Sequence, residues 1–265
     1  MPAYDEIVEI EVGDKHIAGT LVRPAHRLPG VLFVHGWGGS QAQYLTRARG
    51  IAALGCLCLT FDLSGHAATQ RQFATVSREI NLRDVMAAYD LLARHPAVDP
   101  AAIALVGSSY GGYLASILTS LRPVRWLALR VPALYQDTGW QVPKLQLHKD
   151  DSLRNYRRSH IDPAGNRALQ ACAAFKGDVL LVESEFDDLI PHPVIAAYVE
   201  TCAKAHSLTY RVMKGADHGL TDERSQRAYT ELLMGWLGEM MFGKREPLPP
   251  PPVLAEAPEP ERSTP

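Results

Sequence analysis

Gly107-Ser108-Ser109-Tyr110-Gly111 is a G-x-S-x-G pentapeptide placed directly after the apolar run Ile103–Val106 and directly before a segment with helical spacing. A serine held at the tip of a sharp strand-to-helix turn can reach a carbonyl carbon. Glycines on either side provide the room and the backbone freedom that such a turn needs. The chemistry this position suits is nucleophilic attack on an acyl group. With a helix opening at Ser109, the amide of Tyr110 points at the developing oxyanion and the helix dipole adds to it. A second oxyanion donor is expected from the loop after an earlier strand. Val34-His35-Gly36-Trp37-Gly38-Gly39-Ser40 follows the first central apolar run, which makes the Trp37 amide the candidate.

A serine at its free pKa is a poor nucleophile, so it needs an imidazole base, and the base needs a carboxylate to fix its tautomer. Both occur downstream. Glu183-Ser184-Glu185-Phe186-Asp187-Asp188-Leu189-Ile190-Pro191 begins at the end of a strand, where a loop can present a carboxylate at the rim of a sheet. The D-x-x-I-P continuation favours Asp187; Asp188 lies on the same loop, and only geometry separates the two. Among ten histidines, His218 stands out within Gly215-Ala216-Asp217-His218-Gly219, just past the last strand, on a loop that can swing the ring toward Ser109. Asp217 reads as a supporting or surface carboxylate.

Positioning these groups requires a scaffold of alternating strands and helices. Ile7 to Val12 and His16 to Val22 read as an antiparallel pair joined at Gly13-Asp14. Four continuous apolar runs follow, Val31–Val34, Leu57–Phe61, Ile103–Val106 and Trp126–Val131, as strands buried on both faces require. Between them, Tyr44–Leu54, Asn81–Ala93 and Tyr110–Leu121 have helical spacing, and Asp99-Pro100 reads as a turn before the next strand. From about Tyr135 to Phe175 the rhythm breaks, which is where an inserted cap is expected. The rhythm resumes with Val179–Glu183, a helix from about Val194 to Ala203, the strand Leu208–Met213 and a helix from about Ser225 to Met241. The expected catalytic domain is 1–243; residues 244–265, rich in proline and glutamate, are expected to be an extended or disordered tail.

Composition bounds the partners. The 265 residues, 46% hydrophobic and 21% charged, suit one soluble domain, and a formal net charge of −2 argues against nucleic acid. No secretory signal is readable at Met1-Pro2-Ala3, and no apolar run is long enough to cross a membrane, so cytoplasm is the expected compartment, with no membrane partner. Cys56, Cys58, Cys172 and Cys202 lack metal or disulfide spacing and read as reduced core thiols. The stretch 135–175 is mildly basic, with Lys144, His148, Lys149, Arg154, Arg157, Arg158 and His160; a solvated helical face explains these, and steering of an anionic acyl substrate is the alternative. Tyr135 and Trp140 are candidates for lining an acyl pocket or for packing. Homo-oligomerisation is left open.

Taken together, His35-Gly36, Asp62-x-x-Gly65-His66, the Ser109 turn, Asp187 and His218 resemble the α/β-hydrolase superfamily over about residues 5–242. The resemblance implies the α/β-hydrolase fold: a mostly parallel central sheet with helices on both faces and a small cap insert after the sixth strand. Asp62-Leu63-Ser64-Gly65-His66 resembles the family's D-x-x-G-H-G turn, which shapes the active-site floor, although Ala67 stands where a third glycine is usual. The segment order is similar to that of cinnamoyl and feruloyl esterases and related small-acyl esterases, which implies a small-molecule carboxylic ester as substrate and neither metal nor organic cofactor. Ser109-Tyr110-Gly111-Gly112 also resembles the nucleophile turn of prolyl-oligopeptidase-type serine peptidases, though the chain has no propeller-sized domain. Dienelactone hydrolases carry a cysteine nucleophile, and no cysteine occupies this turn. A small serine peptidase or amidase using the same residues, and a non-catalytic scaffold on the hydrolase fold, remain the alternatives.

Overall fold

The computed structural model describes residues 4–23, 28–148 and 151–243. Its strands are β1 (Tyr4–Val12), β2 (Lys15–Arg23), β3 (Leu28–Val34), β4 (Leu57–Phe61), β5 (Val98–Ser108), β6 (Trp126–Arg130), β7 (Asp178–Phe186) and β8 (Ser207–Asp217). They form a single sheet in the order β1-β2-β4-β3-β5-β6-β7-β8. β1 and β2 form an antiparallel hairpin with Val12 opposite Lys15, turning at Gly13 with φ 66°, and β2 joins β4 antiparallel. Every later pairing is parallel.

Continuous apolarity along the central strands resolves into two faces. Leu32 and Val34 of β3 point into one core with Leu105, Leu127, Leu129, Val179 and Leu181, whereas Val31 and Phe33 point into the other with Ala104, Val106, Ala128 and Val182. The first core is covered by α2 (Arg78–Arg94), α3 (Tyr110–Leu118), α5 (Arg167–Ala174) and α6 (His192–Thr201); the second by α1 (Leu45–Ala53) and α7 (Glu223–Phe242). Burial on both faces is what forbids the polar alternation of a half-exposed strand. This is the α/β-hydrolase fold with a mostly parallel sheet.

Four expectations shift. Asp99-Pro100 lies inside β5, where the β3 pairing jumps from Asp99 to Ile103; the turn chemistry survives locally as the Ala101 N–H donating to Asp99 Oδ1 at 3.0 Å. α2 begins at Arg78, three residues before the apolar periodicity, because Ser77 caps it by accepting from the Ile80 N–H at 3.3 Å. α3 closes at Leu118 rather than Leu121. Within 135–175, α5 packs against α3 and α6 as the crossover from β6 to β7, so the departure from the layers is carried by the part before it, including α4 (Ser152–Arg158). At the other end, α7 closes on Gly243, whose φ of 64° ends the helix. The tail 244–265 lies outside the described residues.

The strand order reverses direction between β3 and β5. Ligands of open α/β sheets bind in the crevice outside the carboxyl ends at such a reversal, and here those ends carry His35–Ser40 and Ser109.

Candidate active site

Ser109 has φ 51° and ψ −116°, a left-handed corner between β5 and α3. Its N–H donates to the Arg130 carbonyl at 2.9 Å and its carbonyl accepts from the Ala133 N–H at 3.0 Å, so β6 and the residues after it grip the corner from both sides. The corner is too crowded for side chains beside it. A Cβ on Gly111 would lie 2.1 Å from the Val34 carbonyl oxygen, and one on Gly107 would lie 2.6 Å from the Gly111 carbonyl oxygen. Those contacts explain the two glycines in the pentapeptide, and the strain at Ser109 keeps its hydroxyl proud of the sheet.

His218 reaches Ser109 Oγ through Nε2 at 3.1 Å and Asp187 Oδ2 through Nδ1 at 2.7 Å. The Asp187 carboxylate is 3% exposed, and its other oxygen accepts from the N–H groups of Leu189 at 2.9 Å and Ile190 at 2.7 Å. Asp187 is therefore the carboxylate of this line. Asp188 points to solvent and takes no part. Asp217 accepts from the N–H and hydroxyl of Thr221 and so braces the loop that carries His218.

The loop after β3 lies against the serine: a Cβ on Gly36 would stand 3.5 Å from Ser109 Cβ. Two neutral imidazoles shape it. His35 Nε2 accepts from the Leu63 N–H at 3.0 Å while its Nδ1 donates to the Gly36 carbonyl at 2.7 Å. His66 Nε2 accepts from the Gly38 N–H at 3.0 Å and its Nδ1 donates to the Ser64 carbonyl at 3.2 Å. Burial pushes the His35 pKa down to about 4 and lowers that of His66, which keeps both rings in the form that can accept. Among the described residues the Trp37 and Tyr110 amides have no acceptor.

Beneath Tyr110 a polar network holds the Asp62–His66 turn. Tyr110 Oη donates to Asn81 Oδ1 at 3.1 Å, Asn81 Nδ2 donates to the Ser64 carbonyl at 3.0 Å and to Asp84 at 3.1 Å, and Lys15 lies 3.3 Å from buried Asp84. Ala67 follows that turn with φ 44°, so the alanine adopts the backbone that the usual glycine would take.

The basic stretch divides. Arg154, Arg158 and His160 are exposed, but Lys144 and Arg157 are buried, contrary to a solvated face. Arg157 donates to the Leu134 and Leu189 carbonyls at 3.0 and 3.2 Å, knitting α4 to the segment after β6. Lys149 lies outside the described residues, as does the side chain of His148. Tyr135 is buried against Tyr110 and Tyr113, and Trp140 stacks on Arg78 and Arg167. All four cysteines are free and buried, and burial pushes the Cys56 thiol up to about 12, far from a reactive thiolate. Among the described residues no cluster of three or more histidine, cysteine, aspartate or glutamate side chains could hold a metal ion, and no helix is long and apolar enough to cross a membrane.

Residues 41–244 match the model of the prolyl oligopeptidase family, a span that contains Ser109, Asp187 and His218. The chain belongs to the prolyl oligopeptidase family. It is 27% identical over 213 residues to an uncharacterized protein of Mycobacterium tuberculosis, covering 80% of this chain and 70% of that one. The same fold appears in a dienelactone hydrolase from Anabaena variabilis, with a TM-score of 0.65 and 19% identity, covering 90% of this chain and 99% of that chain. An esterase domain from a Rhodothermus marinus protein aligns with a TM-score of 0.66 at 18% identity, over 90% of this chain and all of the domain. An acylaminoacyl peptidase from Pyrococcus horikoshii aligns with a TM-score of 0.68 at 16% identity; 93% of this chain covers only 43% of that one. Within this family the chain is a serine hydrolase of the α/β-hydrolase fold.

Proposed function

We propose that the protein cleaves carboxylic esters of small acyl compounds by two-step acyl transfer, with Ser109 as nucleophile, His218 as general base and acid, and Asp187 as the carboxylate that orients the ring. The observation that carries this reading is the continuous hydrogen-bonded line from Ser109 Oγ through both nitrogens of His218 to Asp187. With Nδ1–H donated to Asp187, Nε2 is the ring's acceptor and faces the serine hydroxyl. Ser109 Oγ attacks the ester carbonyl as its proton passes to Nε2. The tetrahedral oxyanion is met by the amides of Tyr110, at the N-terminus of α3, and of Trp37. His218 then protonates the leaving alcohol, and a water activated by the same ring releases the acid from Ser109.

The esterase reading agrees with the likeness to a dienelactone hydrolase and an esterase domain. Amide cleavage is the second reading, favoured by the family match and by the likeness to an acylaminoacyl peptidase. Leaving-group preference separates the two. On p-nitrophenyl acetate, butyrate and octanoate, methyl ferulate and an aminoacyl p-nitroanilide, the expected outcome is ester turnover that falls at least about 10⁴-fold in Ser109→Ala. Faster turnover of the anilide than of matched esters would instead establish the peptidase. Equal inactivity of wild type and variant on every substrate would remove the proposal. We propose the cytoplasm as its compartment; among the described residues no helix is long and apolar enough to cross a membrane.

A further inference from the structure

Lys144 is a basic side chain with no exposed surface, and it belongs to the segment after β6 rather than to the sheet. Its ammonium lies 4.0 Å from the centre of the Trp37 ring, 4.7 Å from that of Tyr110 and 5.2 Å from that of Tyr135, and it hydrogen-bonds the Tyr135 hydroxyl. The backbone delivers it there. The Lys144 N–H donates to the Val76 carbonyl at 2.8 Å, and Pro143 pairs with Ser77 at the start of α2. The cation thus lies against the rings of both residues whose amides are the proposed oxyanion donors. Trp37 and Tyr110 also meet edge to face, 5.7 Å between centres, so the three groups form one packed unit.

Such a placement is costly unless the charge is used, because burial opposes the ammonium form. Aromatic faces repay part of that cost by attracting the cation. The charge also bears on His66: its positive field opposes protonation of that ring, and only neutral His66 can accept the Gly38 N–H that holds the loop containing Trp37.

We propose that Lys144 is a positioning residue for acyl transfer: its ammonium group holds Trp37 and Tyr110 in register and adds positive potential behind the site where their amides receive the oxyanion. This rests on the ester-hydrolase reading above. Lys144→Met tests it, since methionine keeps the length and packing of the side chain while removing the charge, and replacing a buried charge by an apolar group of similar volume often leaves a fold as stable or more so. Active sites are counted by fluorophosphonate labelling so that kcat is per competent serine. The expected result is a fall in kcat of roughly 10-fold, with KM for p-nitrophenyl butyrate within about 2-fold. The inhibition constant of an alkylboronic acid, which forms a tetrahedral adduct on the serine, should rise in parallel with that fall, and Tm should be unchanged or higher.

Unchanged kcat per labelled site overturns the proposal, and so does a loss confined to KM with boronate affinity retained, which would mark Lys144 as a packing group of the cap. Lys144→Gln, which keeps a donor without the charge, gives a second reading should the methionine variant fail to fold. Failure of both to fold assigns the lysine a purely structural role and also overturns it. The underlying reading is tested separately: if wild type turns over no ester, that reading falls before Lys144 is at issue, whereas wild-type turnover abolished in Ser109→Ala leaves only the role of Lys144 to be decided.

Discussion

Asp187 and Asp188 are chain neighbours with the same side chain, yet one is an acceptor sealed under His218 and the other faces water. Their separation is decided by backbone: the Leu189 and Ile190 amides fold back onto Asp187 and aim its second oxygen at the ring. Asp187→Asn is expected to cut kcat/KM on p-nitrophenyl butyrate by about 10³- to 10⁴-fold, because an amide stabilises the wrong tautomer and does not support the imidazolium. Asp188→Asn should stay within about 2-fold, as changes at exposed positions outside the reacting line do. Comparable losses in the two variants would contradict the assignment. The choice of Asp187 was legible only as a preference from the D-x-x-I-P pattern, whereas Ser109 and His218 were legible from the turn each occupies. Lys144 is buried, not solvated, because Trp37 and Tyr110, distant in the chain, close over it together with Tyr135, and no local pattern marks such a lysine.

At the scale of the element, the corner between β5 and α3 does the most with the fewest residues. Gly111 is wedged under the end of β3, and its absent side chain is what lets α3 start so close to Val34 and His35. Gly111→Ala is therefore expected to push α3 away from β3 and abolish measurable ester turnover, with a loss of stability of about 3 kcal/mol from overpacking. Urea denaturation and fluorophosphonate labelling would check it, and a variant that labels at the wild-type rate would refute it. The Asp62–His66 turn makes the opposite prediction. Ala67 holds a left-handed φ that glycine takes at no steric cost, so Ala67→Gly should leave activity intact and stabilise by up to about 1 kcal/mol, measured by urea denaturation. Strands and helices were legible because their apolar period is local. The start of α2 was recoverable from Ser77 followed by Glu79 in the first turn, a capping signal that apolar spacing alone passes over. The place of α5 was not, because short crossover helices reveal their layer only through what they pack against.

Across the whole molecule, the sheet joins two cores and brings to the carboxyl ends of its parallel strands residues from six separate segments, and closing that end buries titratable groups. His35 shows the consequence for pH. Its folded pKa of about 4 lies below the ordinary value of 6.5, so the fold favours the neutral ring; its contribution is complete above about pH 6.5 and is lost as the pH falls toward 4, reaching about 3 kcal/mol there. Urea denaturation at pH 7 and at pH 4.5 should show that loss in wild type and a smaller one in His35→Gln, whose amide oxygen can still accept from Leu63; equal losses would exclude His35 as the cause. The amino-acid sequence by itself determined the layered α/β architecture, the serine turn, the histidine loop and the order in which they occur, since each is written in spacing over a few residues. Only the tertiary structure decided which aspartate serves His218, how the His35 and His66 rings hold the Trp37 loop, and that Lys144 lies inside. Those are relations between residues far apart in the chain, set by which surfaces must be buried together, and burial is a property of the closed fold rather than of any segment within it.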